Sequence, residues 1–307
     1  MSFSAKTCWR LALPATAGAI MNSSAVAQDV LWPHVTKSSF GIVAMVPGCD
    51  GFDGSGNDME VFDGTQNFGG YVRNEGETDT RPLVARVAKY KKELSASYDR
   101  SEAEFHRSGM AVVKIDYGPR PNCRDAGSDL AGSMEKVKRK ITATLSAVRQ
   151  IAKINKDQVY VVANSLGAGG VLKMFKDWGA SEMEAGRPNR AVLYFPTCET
   201  AVDGWQAMVP TLILVGKLDD VPLGYKQGAW IKLADACRKQ REQQGAGSKL
   251  VYHEYDKAFH GFNLPGSDIP IKAELRIPTI PRYRFTAYAY DGDAAAKAAS
   301  AQESFLK

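Results

Sequence analysis

Short unbroken apolar runs alternate along this chain with longer segments whose apolar residues recur every three or four positions. Phe40-Gly41-Ile42-Val43-Ala44-Met45-Val46 is the first run, ended by Pro47-Gly48. Met110–Ile115, Val159–Ala163, Ala191–Phe195, Leu212–Val215 and Leu250–Tyr252 are the others. Runs of this length without alternation predict strands covered on both faces. Met134, Val137, Ile141, Leu145, Val148 and Ile151 keep the spacing of an amphipathic helix. Lys156-Asp157 then reads as the turn into the next strand. Further helices are expected over about Leu83 to Phe105, Leu166 to Trp178 and Ala294 to Leu306, and Trp230, Leu233 and Cys237 mark one face of another. Strands alternating with helices make βαβ units and a mostly parallel sheet, the α/β class. With no internal repeat and no long linker, one domain is the economical reading. Its chemistry is expected in the loops at the carboxyl ends of the strands.

The N-terminus stands apart from this pattern. Lys6 and Arg10 precede an uncharged stretch, Leu11 to Met21, and Ala25-Val26-Ala27 follows it. That is the layout of a secretory signal peptide over residues 1–27, with an exported, periplasmic or secreted domain over 28–307. The bland alternative is an Ala-rich helix of the fold. Composition excludes less familiar classes: 307 residues, 44% hydrophobic and 24% charged, are ordinary globular proportions. The formal charge of +5 is mild and the basic residues are interspersed with acids, which argues against a nucleic-acid groove. Export changes the reading of the cysteines. Cys49, Cys123, Cys198 and Cys237 lie beyond the leader, and four cysteines allow three pairings, or none if they remain buried thiols.

The sharpest chemical signal is Val161-Val162-Ala163-Asn164-Ser165-Leu166-Gly167-Ala168-Gly169-Gly170, a strand running into a serine and at once into a Gly-rich helix. A tight strand-to-helix turn exposes a hydroxyl above the sheet and needs small residues two positions before and after. Gly167 fills the second place and Ala163 the first, where glycine is usual. Alone, Ser165 could as well cap a helix. It is joined by Gly216-Lys217-Leu218-Asp219-Asp220, a carboxylate pair after a later strand, and by His260 in Ala258-Phe259-His260-Gly261-Phe262, after the last strand. Of four histidines, His34, His106 and His253 fall before the first strand, on a surface helix and on a strand, so His260 has the setting of a base. Serine, acid, histidine is one of the chain orders of a nucleophilic triad. Pro47-Gly48-Cys49-Asp50-Gly51 supplies a loop for oxyanion donors: the N–H of Leu166 and that of Cys49, with Asp50 the neighbouring option. Neither phosphate-binding fingerprint, G-x-x-x-x-G-K-[ST] or G-x-G-x-x-G, is present.

From about Phe40 to Phe262 the chain resembles the α/β-hydrolase superfamily, and within it the dienelactone-hydrolase-like proteins. The resemblance implies an α/β-hydrolase fold with helices on both sheet faces. It implies an oxyanion loop at Pro47–Gly51, with proline where the family has histidine, and a nucleophile elbow over Ala163–Gly167. Dienelactone hydrolases proper carry cysteine at the position of Ser165. The family's acid falls on Asp219, with Asp220 the near alternative, and its base on His260. Tyr194-Phe195-Pro196-Thr197-Cys198 and Asp116-Tyr117-Gly118-Pro119-Arg120 fit two elements of the pocket rim in related members. On the strand adjacency this implies, Cys49–Cys123 and Cys198–Cys237 are the expected bridges, with Cys237 equally placed as a free core thiol.

The resulting expectation is a serine hydrolase of carboxylic esters or lactones acting through an acyl-enzyme, with a small-molecule substrate and no metal or redox cofactor. A serine peptidase or acyltransferase could use the same triad, and a secreted non-catalytic binding protein could retain the same fold. Residues 51–98, with Phe52, Phe62, Phe68 and Tyr71, form a lid or pocket wall, or a loop whose aromatic residues anchor it to the core.

Overall fold

Phe40–Val46, here β2, is buried at all seven positions, the consequence of an apolar strand with neighbours on each side and helices above and below. In the computed structural model the described residues are 29–52, 81–117, 129–179, 185–198, 202–245, 247–266, 270–277 and 280–307. The expected leader, the aromatic residues at 62, 68 and 71, and Cys123 therefore lie outside them. With β1 (Val30–Leu31), β3 (Ala111–Lys114), β4 (Ile154–Asn164), β5 (Arg190–Tyr194), β6 (Thr211–Gly216) and β9 (Leu250–Tyr255), β2 builds a seven-stranded sheet of order β1-β3-β2-β4-β5-β6-β9. Every pairing is parallel except that of β1 on β3. No helix among the described residues is long and apolar enough to cross a membrane.

The flanking helices are α1 (Arg81–Arg107), α2 (Leu130–Val148), α3 (Ser165–Lys176), α4 (Leu233–Glu242) and α5 (Gly292–Leu306). In α2 the predicted stripe is buried from Met134 through Val137, Ile141 and Leu145 to Val148, while Ile151 falls after the helix and is half-buried, and Asp129 caps the helix by accepting from the amide of Gly132 at 3.0 Å. Asp291 caps α5 in the same way on Ala294. α2 packs on α3, α1 on β3, and α4 and α5 on β6. The fold is that of an α/β hydrolase.

Three expectations need correction. Trp230 is not on a helix. It lies in β8 (Ala229–Lys232), which pairs with β7 (Pro222–Lys226) through Gln227-Gly228, both at positive φ (53° and 82°), the backbone of a two-residue hairpin turn. Leu233 and Cys237 do begin and continue α4 as buried residues. Lys156-Asp157 does not end an element either. It bulges out of β4, whose register against β2 slips between Phe40 and Ile42. Beyond the last predicted strand, β10 (Ile271–Ile277) and β11 (Ile280–Tyr288) form an antiparallel hairpin that apolar runs did not mark.

Cys198, just after β5, is bridged to Cys237 of α4, with Cα atoms 5.1 Å apart, so the free-thiol alternative falls. Cys49 is also disulfide-bonded. Its expected partner, Cys123, lies outside the described residues.

Candidate active site

β4 delivers the serine. Asn164 is still extended (φ −116°, ψ 141°), and Ser165 turns the chain abruptly into α3 with φ 48°. A side chain in the left-handed region costs roughly 1–3 kcal/mol and persists only where the surroundings impose it. Here they do. The Ser165 carbonyl accepts the amide of Thr197 at 3.3 Å, and Gly167 lets the turn press on the loop after β2. A Cβ on Gly167 would stand 2.3 Å from the Pro47 carbonyl oxygen and 2.9 Å from Val46 Cγ1. The methyl of Ala163, two residues before Ser165, is fully buried and leaves the turn intact. The serine hydroxyl does not cap α3: it faces His260.

His260 Nε2 lies 3.2 Å from Ser165 Oγ, and His260 Nδ1 lies 2.8 Å from Asp219 Oδ2. Asp219 is 1% exposed and His260 5%. Because a carboxylate can only accept, Nδ1 carries the proton and Nε2 is left to accept from Ser165. The second oxygen of Asp219 accepts the Val221 amide at 3.2 Å, and its backbone is tied at both ends, to Gly216 and to Ala234. His260 stands in the turn after β9, where Gly261 (φ 65°) has no room for a side chain: a Cβ would meet Tyr288 Cδ1 at 2.7 Å. Behind the imidazole, Phe195 packs with ring centroids 4.6 Å apart. Phe195 itself holds a positive φ of 35°, a strained position for a bulky residue directly beside the site.

Asp220 is elsewhere. Its Oδ1 accepts the Thr286 amide at 2.9 Å and its carbonyl accepts the Tyr283 hydroxyl at 3.0 Å, so it fastens β11 to the loop after β6. Burial raises its carboxyl pKa, and the neighbouring Asp219 charge acts in the same direction. Of the two candidate acids, the structure therefore brings Asp219 to His260.

The loop after β2 closes the site. Gly48, Cys49 and Asp50 line the same pocket as Asn164, Ser165 and His260. Gly51 N–H donates to the Gly48 carbonyl at 3.1 Å, making a four-residue turn with Cys49 and Asp50 at its corner. Leu166 is the first residue after the elbow, so its amide is one of those a helix N-terminus leaves without an intrahelical acceptor. Tyr98, Phe195, Leu264 and Tyr288 complete the described wall. Phe52 packs edge-on against Tyr98 at 4.9 Å, and both are buried or half-buried. Residues 81–98 of the expected lid are the first part of α1, while 53–80 lie outside the described residues.

Sequence reading missed Tyr98 on α1, Leu264, and Tyr288 at the end of β11, which line the pocket, and Tyr90 on α1, whose hydroxyl donates to the Asp50 carboxylate. Alternation of Tyr283, Phe285 and Ala287 with Arg284, Thr286 and Tyr288 was the available signal for β11. Pro278 and Pro281 mask it, since proline argues against a paired strand.

No family model matches this chain, and no curated protein matches it. Among solved structures it is similar to one described as m3DLH, at 13% identity over 90% of each chain with a TM-score of 0.52. It is also similar to Thermogutta terrifontis esterase 2 phosphoramylated by tabun, at 13% identity over 90% of this chain and 87% of that one, TM-score 0.49. A dienelactone-hydrolase-like promiscuous phosphotriesterase from metagenomic libraries shares 15% identity over 90% of this chain and 89% of its own, TM-score 0.46. At such identities the m3DLH likeness speaks for the fold alone, that of an α/β hydrolase.

Proposed function

We propose that the protein is a serine hydrolase of carboxylic esters or lactones, with Ser165 as nucleophile, His260 as base and Asp219 as its orienting acid. The observation that carries this reading is the continuous path from Asp219 Oδ2 through His260 to Ser165 Oγ, at 2.8 and 3.2 Å, opening on a pocket at the carboxyl end of the sheet. His260 Nε2 takes the proton as Ser165 Oγ attacks the carbonyl carbon, and Asp219 stabilises the imidazolium that forms. The electron pair moves onto the carbonyl oxygen, which the amides of Cys49 and Leu166 receive. Collapse expels the alkoxide, protonated by His260, and leaves an acyl-enzyme. Water then repeats the cycle on that ester and releases the acid.

The experiment is labelling with a fluorophosphonate, read by intact mass, beside turnover of short-chain p-nitrophenyl esters, on the wild type and Ser165→Ala. One adduct on the wild type alone, with turnover lost in the variant, is expected. A folded wild type that neither labels nor turns over would return the fold to a binding role. Export to an oxidising compartment belongs to the same proposal. It is supported by the N-terminal pattern and by the Cys198–Cys237 bridge. A mature N-terminus at Gln28 in the exported fraction is the result it requires.

A further inference from the structure

An oxyanion donor is useful only if it is aimed before the charge develops. The Cys49 N–H belongs to the Gly48–Cys49 peptide, and in a planar trans peptide the N–H points opposite to the carbonyl. Whatever pins the Gly48 carbonyl therefore aims the Cys49 N–H. Two donors do so from different parts of the fold: the Gly51 amide, within the turn, and the hydroxyl of Tyr117, after β3. Tyr117 also reaches the Pro47 carbonyl at 3.2 Å, and it is buried. The other corner residue of the turn is held from its side chain. Asp50, 5% exposed, accepts from Tyr90 of α1 at 2.7 Å and from Tyr288 of β11 at 2.8 Å to each oxygen. The two tyrosine rings lean on each other at 4.7 Å, and Tyr288 lies 5.9 Å from the imidazole of His260.

We propose that Tyr117 and Asp50 are positioning residues for the oxyanion donor at Cys49, Tyr117 by fixing the Gly48–Cys49 peptide and Asp50 by being gripped between Tyr90 and Tyr288. The inference rests on the hydrolase reading given above. A short turn held only by its own backbone rocks about its ends, whereas this one is tied independently to α1, to the segment after β3 and to β11. Tyr288 touches both the oxyanion loop and the space behind Gly261, so the same strand sets the donor and the base relative to each other. Burial, and then the Asp50 charge, raises the Tyr90 pKa well above the ordinary phenol value, so its hydroxyl remains a donor throughout the neutral range.

The test is Tyr117→Phe and the double variant Tyr90→Phe/Tyr288→Phe, each of which removes hydroxyls and keeps the rings. Three quantities are read: kcat and KM for p-nitrophenyl acetate, affinity for a trifluoromethyl ketone that forms a tetrahedral adduct, and the unfolding midpoint. Removing a whole oxyanion donor costs about 10²–10³-fold, so mis-aiming one is expected to lower kcat by about 10- to 100-fold. KM should stay within about twofold, and ketone affinity should fall in step with kcat/KM. Should the double variant fail to fold, Tyr117→Phe and Tyr288→Phe alone carry the test. Wild-type kcat in the folded variants overturns the inference, as does a loss of kcat with ketone affinity unchanged. A wild type inert towards both ester and ketone overturns the hydrolase reading itself, which distinguishes the two failures.

Discussion

Asp219 and Asp220 are adjacent in sequence and opposite in consequence, which makes their asparagine variants the most discriminating pair. In Asp219→Asn the side-chain oxygen stays where the Val221 amide needs an acceptor, at the place of Oδ1. That puts the new NH2 where Oδ2 stood, 2.8 Å from His260 Nδ1. Two donors cannot face each other, so Nδ1 gives up its proton and Nε2 carries it, pointing at Ser165 Oγ 3.2 Å away. The base is then in the wrong tautomer, an arrangement that lowers kcat roughly 10⁴-fold in a triad of this geometry. At about 1.4 kcal/mol per tenfold that is about 5.5 kcal/mol of barrier. Asp220→Asn, in contrast, can keep an oxygen towards the Thr286 amide and should retain at least about a tenth of wild-type turnover. Asp220→Ala strips that buried amide of its acceptor and is expected to cost about 1–3 kcal/mol of stability with a modest effect on kcat. The assay is p-nitrophenyl acetate turnover beside denaturant unfolding of all three variants. Equal, severe losses of kcat in folded Asp219→Asn and Asp220→Asn would falsify the assignment, and a nearly active Asp219→Asn would remove Asp219 from the triad.

Gly167→Ala drives a Cβ to 2.3 Å from the Pro47 carbonyl, so the elbow and the oxyanion loop must part. Unfolding should show a loss of about 1–3 kcal/mol and labelling by a fluorophosphonate should slow, and an unchanged labelling rate would contradict the packing argument. Replacing Cys198 and Cys237 together by alanine opens a loop closed over a sequence separation of 39, worth roughly 4 kcal/mol by chain entropy. A difference under about 1 kcal/mol in denaturant titration of the two proteins would refute that. The α2–α3 contact carries a pH dependence. Lys138 bridges Glu135 and Asp177 at 2.7 and 2.6 Å, and Lys173 adds a second bond to Asp177 at 2.7 Å. Partial burial pushes both carboxyls up, but the hydrogen bonds from Lys138 and its basic neighbours outweigh it, leaving both pKa values below the ordinary range. Groups depressed in the folded state stabilise it above their unfolded pKa and lose that contribution as the pH falls through the folded values. Wild type should therefore exceed Glu135→Gln/Asp177→Asn by roughly 1 kcal/mol at neutral pH, converging in acid, and a gap unchanged down to about pH 3 would exclude the linkage.

The parallel sheet was legible because its strands are buried on both faces and so read as continuous apolar runs: Phe40–Val46 coincides with the observed strand, and Thr211–Gly216 extends the predicted run by one residue at each end. The hairpins were not legible by that rule. β7 and β8 are partly exposed, mix Pro, Gly, Lys and Trp, and owe their pairing to the Gln227-Gly228 turn. Leu233 and Cys237 do share a buried helix face, and Trp230 sits at a compatible spacing by coincidence of a strand running straight into the helix. Periodicity counts positions and cannot see a turn placed between them.

The candidate site divides along the same line. Ser165 announces itself through local backbone chemistry, since a strand, a left-handed residue and a helix within a few positions demand small neighbours at 163 and 167. His260 follows from chain order and from its place after a strand. Which of two adjacent carboxylates turns inward is a different kind of question. It is decided by the Val221 amide and the β10–β11 hairpin, the latter beyond the last strand that pattern reveals, because Thr286 and Tyr283 claim Asp220 and leave Asp219 for the imidazole. Asp50 repeats the lesson. In sequence it is one acid in a Gly-rich loop, and only α1 and β11, 40 and 238 residues away, turn it into the anchor of that loop. The candidate nucleophile and base are thus written in short segments, whereas the groups placed to orient them are selected by partners that only the tertiary fold brings near.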